Sequence, residues 1–159
     1  MHKVILTNDY LLVEYNFSVN PEDLEHAGEA SSKIKEVLEQ LKLDRKLIRR
    51  ICIASYEAEI NIAIHSYGGE IKLQIYPKKV IVTAEDGGPG IQDIDRALEN
   101  GYSTASVHIL KQGFGAGRGF SNMIRYSDGF NIFSKVGKGT KLEMHFENPA
   151  EIHGICPIK

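Results

Sequence analysis

Apolar and polar positions divide the chain into an early helical half and a later half of strands and glycine-rich loops. Residues 10–19 mix aromatic and branched side chains and predict a strand. Asn20-Pro21-Glu22-Asp23 has the order of a helix start: a capping amide, a proline with no N–H to lose, and two acids at the positive end of the dipole. The periodicity predicts a helix over 21–41, with Ala27, Ala30, Ile34, Val37, Leu38 and Leu41 as its apolar stripe. Asp44 can cap a second helix over 45–66, ended by Gly68-Gly69. Strands follow at 70–76 and 79–84 about a turn at Pro77-Lys78, then a short helix within 93–99. A helix over 120–126 and strands at 130–135 and 140–146 complete the pattern. Helices early and strands late, with little βαβ alternation, predict an α+β two-layer sandwich: a mixed, mostly antiparallel sheet with helices on one face. Residues 1–147 read as one domain and 148–159 as a short tail.

The second helix breaks its own pattern. Glu57, Asn61 and His65 are spaced by four and share one stripe. Ile53, Ile60 and Ile64 flank the stripe on one side, and Ile51, Ala58 and Ile62 on the other, while Ser55, Glu59 and Ser66 fall on the opposite face. A polar stripe thus runs down the middle of the apolar sector, where an unpartnered carboxylate or amide costs several kcal/mol. Any one of the three has an ordinary reading as a hydrogen-bonded core residue. Three in register, followed by glycine loops, point to a site: Asn61 offers a carbonyl oxygen to Mg²⁺, and Glu57, one turn away, serves as general base or orients a nucleophile. For His65 a capping or packing role stands beside a chemical one.

Seven of the fifteen glycines fall in two short segments, Asp86-Gly87-Gly88-Pro89-Gly90 and Gly113-Phe114-Gly115-Ala116-Gly117-Arg118-Gly119. Glycine lets backbone amides approach a ligand, and successive amides before a helix form a seat for phosphate. A flexible loop is the alternative for either segment alone. The GxxxxGK[ST] loop, a GxGxxG in Rossmann register, the protein-kinase set, HExxH and the EF-hand loop are all absent from the sequence.

Composition narrows the picture further. With 159 residues, 42% hydrophobic and 25% charged, the chain is sized for one ordinary core. A net charge of -2 supplies no basic field for nucleic acid or an anionic membrane. No run approaches the ~18 apolar residues of a membrane helix, and the start lacks a signal peptide's apolar stretch, so a cytoplasmic location is expected. Cys52 and Cys156 form neither a CxxC pair nor a zinc spacing, and Cys52 reads as a small buried thiol. His2, His153 and Cys156 read as incidental surface residues.

Taken in order, these pieces resemble the GHKL ATPase superfamily, with its Bergerat ATP-binding fold. Glu57 to His65 resembles its N box, Asp86 to Gly90 its DxGxG box, Gly113 to Gly119 the glycine box closing the ATP lid, and Gly137-Lys138-Gly139-Thr140 the late GxGT element. The likeness spans residues 20–147. Size and order are most similar to the small anti-sigma-factor and switch-type serine kinases of bacterial partner-switching modules.

The resemblance implies ATP and Mg²⁺ as cofactors. It implies that Asn61 holds Mg²⁺, that Glu57 is the catalytic carboxylate polarising a serine hydroxyl, and that Asp86 accepts from the adenine amino group with Thr140 in support. Gly88 and Gly90 would line the adenine pocket, and Gly113, Gly115 and Gly117 would present amides to the phosphates. Arg118 and Phe120 depart from the family's usual residues, and 105–112 is longer than in its shortest members. Arg118 has two readings, a phosphate contact and a solvated helix residue.

The implied function is phosphorylation of a serine on a small STAS-type antagonist protein, with a sigma factor or another regulator as a further partner and a homodimer as the family expectation. The alternatives are an ATP-gated module that sequesters a regulator without phosphoryl transfer, and an accessory ATP-binding subunit.

Overall fold

Five strands and four helices are defined among the residues the computed structural model describes, 9–99, 101–103, 111 and 117–152. In chain order they are β1 (Val13–Val19), α1 (Glu29–Gln40), α2 (Arg45–His65), β2 (Gly69–Ile75), β3 (Lys79–Asp86), α3 (Ile94–Ala97), α4 (Gly119–Tyr126), β4 (Gly129–Lys135) and β5 (Gly139–Glu147). The sheet order is β1-β2-β3-β5-β4, and each of the four ladders is antiparallel. This is the expected α+β arrangement.

Strand alternation builds the core in rows. Ile71 pairs with Ala84, which pairs with Leu142, which pairs with Ile132. The next row on that face is Leu73, Val82, Met144 and Phe130, and the next Ile75, Val80 and Phe146. Except for the edge residues Ile132 and Phe130, all of these are buried under the helices. The outer face carries the intervening residues, where Lys72 pairs with Glu14 and Lys141 with Glu143. One face is dry and the other wet, as antiparallel sheets allow.

α2 starts where its cap dictates: the Asp44 carboxylate accepts from the N–H groups of Lys46 (2.9 Å) and Leu47 (3.2 Å). α1 does not. The expected start at Pro21 is replaced by turns, and the helix begins at Glu29. Gly28 takes a left-handed φ of 96°, which interrupts any helix arriving from 21. The cap comes instead from another helix. Glu59 of α2 accepts from the N–H groups of Gly28 (3.1 Å) and Ala30 (3.0 Å) through Oε1, and of Ser31 (3.0 Å) through Oε2. Glu59 is 4% exposed and Ser55, one turn before it, 0%. The face of α2 expected opposite the packed one therefore carries α1 rather than water.

Residues after β5 are fastened to the β2–β3 turn, since the N–H groups of Asn148 and Ile152 donate to the carbonyls of Lys78 (2.8 Å) and Pro77 (2.9 Å). The first residues of the expected tail, 148–152, are thus held against the sheet's β2–β3 turn, and 153–159 lie outside the described residues. Among the described residues no helix is long and apolar enough to cross a membrane.

Candidate functional site

The core rows end in a polar one. Beyond Ile71–Ala84–Leu142–Ile132, the same face continues as Gly69, Asp86, Thr140 and Ser134. Alternation alone thus turns Asp86 and Thr140 inward, at the end of the sheet where α2 also ends. Above this row opens a cleft of about 1380 Å³, larger than the roughly 300–1,000 Å³ of ordinary small-molecule sites. Ala84, Ile91, Val136 and Leu142 give it an apolar wall around Asp86 and Thr140.

Each polar group at this end has a holder. Asp86 Oδ1 accepts from the Gly88 N–H at 2.8 Å. Ser134 Oγ lies 2.7 Å from Thr140 Oγ1, donates to the Gly139 carbonyl at 3.1 Å and accepts from the Ile91 N–H at 2.8 Å. When the Ser134 proton goes to the Gly139 carbonyl, Thr140 must be the donor in the pair, which leaves its lone pairs for a ligand. Gly90 borders the cleft with φ of 76°, and a Cβ there would collide with the Lys135 carbonyl. Gly88 does not border it and sits behind Asp86, where a Cβ would lie 2.8 Å from Ser66 Oγ.

The other wall is α2. Glu57, Asn61 and His65 all border the cleft, so the structure brings the polar stripe and the Asp86–Thr140 pair into one cavity. α4 runs antiparallel beside α2. Its far end is gripped by Arg50, which donates to the Tyr126 carbonyl (2.9 Å) and to Asp128 (2.8 Å). Its near end abuts the stripe at Gly119, where a Cβ would sit 3.3 Å from Asn61 Oδ1 and 3.5 Å from Glu57 Oε2. The missing side chain leaves room beside both oxygens at a helix N-terminus, a setting that favours an anion together with a cation held on hard oxygen ligands. Shape and chemistry therefore fit a magnesium nucleotide.

Partial burial in the cleft lowers the His65 imidazole pKa from its usual 6.5. Tyr56, also on the wall, has its phenol pKa raised by burial and then by the nearby Glu57 and Glu59 carboxylates. Cys52, expected to be buried, is only partly so, and desolvation is the chief cause that raises its thiol pKa.

The second glycine segment is placed in part. Gly117 borders the cleft, and its carbonyl accepts from the Gly101 N–H at 2.8 Å, which joins the two ends of the intervening stretch. Beside that junction the Arg96 guanidinium lies 4.8 Å from the Tyr102 ring centre. Gly113 and Gly115 lie outside the described residues. Arg118 is exposed on the rim of the cleft, and Phe120 packs edge-on against Phe130 with centroids 6.4 Å apart.

Sequence reasoning missed three residues here. Gly119 closes the second glycine segment, whose pattern alone gives it no separate role. Ser134 could have been found from strand alternation, as the partner of Thr140. Asn122, whose Nδ2 donates to Glu57 Oε1 at 2.7 Å, carried no signal of its own.

Comparison with known proteins agrees with this geometry. The model of the histidine kinase-like ATPase domain matches residues 20–146. The chain is 33% identical over 98 residues to the serine/threonine-protein kinase RsbT of Bacillus subtilis (strain 168), covering 59% of this chain and 68% of the relative. It is 29% identical over 126 residues to the anti-sigma F factor of Clostridium perfringens (strain SM101 / Type A), covering 76% of this chain and 86% of the relative. A third relative, the anti-sigma F factor of Thermoanaerobacter sp. (strain X514), is 32% identical over 102 residues, covering 61% and 68%. A cleft with an aspartate at one end and a glutamate–asparagine pair at the other, in a chain matched over most of its length, places this protein in the histidine kinase-like ATPase domain family, whose cofactor is ATP.

Proposed function

We propose that this protein is a Mg-ATP-dependent serine/threonine-protein kinase of the partner-switching kind, transferring the γ-phosphoryl group to a serine on a small STAS-type protein in the cytoplasm. The observation that carries the reading is Glu57 and Asn61 on one wall of a single cleft with Asp86 and Thr140 on the other. The similarity to a serine/threonine-protein kinase and to anti-sigma F factors supports it.

In this reading Asp86 accepts from the adenine amino group, and Thr140, held by Ser134, supports the same ring. Gly88 fixes Asp86, and Gly90 lets the loop pass close to the base. Asn61 supplies an oxygen ligand to Mg²⁺, and Gly113, Gly115 and Gly117 offer amides to the phosphates. Bound Mg²⁺ neutralises phosphate charge. Glu57 orients the incoming serine hydroxyl and takes its proton, and the site otherwise works by positioning, as phosphoryl transfer requires.

The test is transfer of label from γ-labelled Mg-ATP to purified STAS-domain proteins of the same organism, with Glu57→Ala and Asn61→Ala in parallel. Transfer that falls about 10²–10⁴-fold in Glu57→Ala supports the reading, the span expected for a general base. The anti-sigma F likeness favours one competing reading, an ATP-gated module that holds a sigma factor. Nucleotide-dependent complex formation with no label transferred to any partner would establish that reading instead.

A further inference from the structure

We infer that Asn122 is a positioning residue for phosphoryl transfer: it holds Glu57 with one oxygen occupied and presents the other to the acceptor hydroxyl. The inference rests on the kinase reading above and adds a residue to it. Glu57 is a three-torsion side chain on a cleft wall, and nothing in its own helix fixes its carboxylate. Asn122 Nδ2 donates to Oε1 at 2.7 Å, short for an N–H donor. Oε2 faces the space that a side chain on Gly119 would fill, 3.5 Å from that point. Among the described residues one oxygen is thus tied and the other open.

Asn122 is itself well anchored. Its N–H donates to the Arg118 carbonyl at 2.9 Å, and the next residue, Met123, is 0% exposed. Arg50 grips the far end of α4. Because α4 is clamped against α2, the amide is a fixed point and the carboxylate the group it steadies. In the transfer step the seryl oxygen forms its bond to the γ-phosphorus as the bond from that phosphorus to the bridging oxygen of ADP breaks. The bonding pair leaves with ADP, and the hydroxyl proton passes to Glu57 Oε2. A carboxylate free to rotate would present Oε2 only part of the time, and misplacement of about 1 Å can cost ~10²-fold in rate.

The experiment measures label transfer from Mg-ATP to the STAS-domain protein that wild type phosphorylates, alongside nucleotide affinity by calorimetry and thermal melting. Asn122→Ala deletes the donor. Asn122→Asp keeps the volume but sets an acceptor against Glu57. The expected result is a kcat loss of about 10–100-fold in both variants, with nucleotide affinity and acceptor KM within about twofold and melting near wild type. Asn122→Ala added to Glu57→Ala should remove nothing further, because both act through one carboxylate. Wild-type transfer with both single variants at parity overturns this inference alone. So does an Asn122→Ala loss that persists undiminished in the Glu57→Ala background, since the amide would then act elsewhere. A wild-type protein that transfers no phosphate to any STAS-domain partner overturns the kinase reading and this inference together.

Discussion

Replacing Glu59 by alanine removes a cap that α1 takes from its neighbour. Three N–H groups lose their acceptor, of which those of Ala30 and Ser31 are buried. A buried donor left unsatisfied costs about 1–3 kcal/mol, and the removed carboxylate also gives up its favourable place at a helix N-terminus, ~0.3–2 kcal/mol. Allowing water to reach the exposed side of the gap, the loss should be about 3–5 kcal/mol, a large part of the ~5–15 kcal/mol that holds a domain together. For a chain of this length that corresponds to a melting point lower by ~6–20 °C. Glu59→Gln keeps the shape and one acceptor oxygen but turns an amide toward backbone donors, and should lose about 1–2 kcal/mol. Urea titration followed by far-ultraviolet circular dichroism measures both. Glu57→Ala, two residues away and facing the cleft, should be close to wild type in the same assay. If Glu59→Ala unfolds within about 0.5 kcal/mol of wild type, the ordinary range for surface substitutions, α1 does not depend on this carboxylate and the reasoning fails.

Ser55→Ala should leave stability unchanged or raise it by up to ~1 kcal/mol in the same titration, because the Ser55 hydroxyl is fully buried with no hydrogen-bond partner among the described residues. Gly119→Ala should fold normally, alanine being the better helix former, yet weaken magnesium-dependent nucleotide binding about tenfold by calorimetry, since the new methyl group crowds Asn61 and Glu57. Gly90→Ala should destabilise by ~2 kcal/mol or more, because it combines a left-handed backbone with overlap on the Lys135 carbonyl. The lowered pKa of His65 has a defined sign: just below pH 6.5 the unfolded chain binds the proton more readily than the folded one. Stability should therefore rise as pH climbs toward 6.5 and level off above, and His65→Gln should flatten that rise in melting curves.

The elements whose signals are local were legible from the residues. Asp44 caps α2 where its spacing says, and the β2–β3 hairpin turns at Pro77-Lys78. The start of α1 was not, because its cap lies 28–31 residues away in sequence. Asn20-Pro21 carried every local mark of a start and lost to a left-handed glycine and a carboxylate from another helix. The same distinction runs through the site. Glu57 and Asn61 announced themselves as polar residues on an apolar face, and the glycines by their clustering. Asn122 is one polar residue on an amphipathic helix, and only the antiparallel seating of α4 on α2 gives it a partner.

The bond from the Gly101 N–H to the Gly117 carbonyl has a consequence for how such a chain can vary. Whatever path residues 102–116 follow, they leave and rejoin the body at one point, so neither the sheet nor α4 registers their length. Closing a loop through a pinned neck costs only ~0.6 kcal/mol more for each doubling of its residues. Insertions and deletions there are close to neutral for folding. Selection can in this way change the length of this stretch without altering any residue of the framework that holds Glu57 or Asp86.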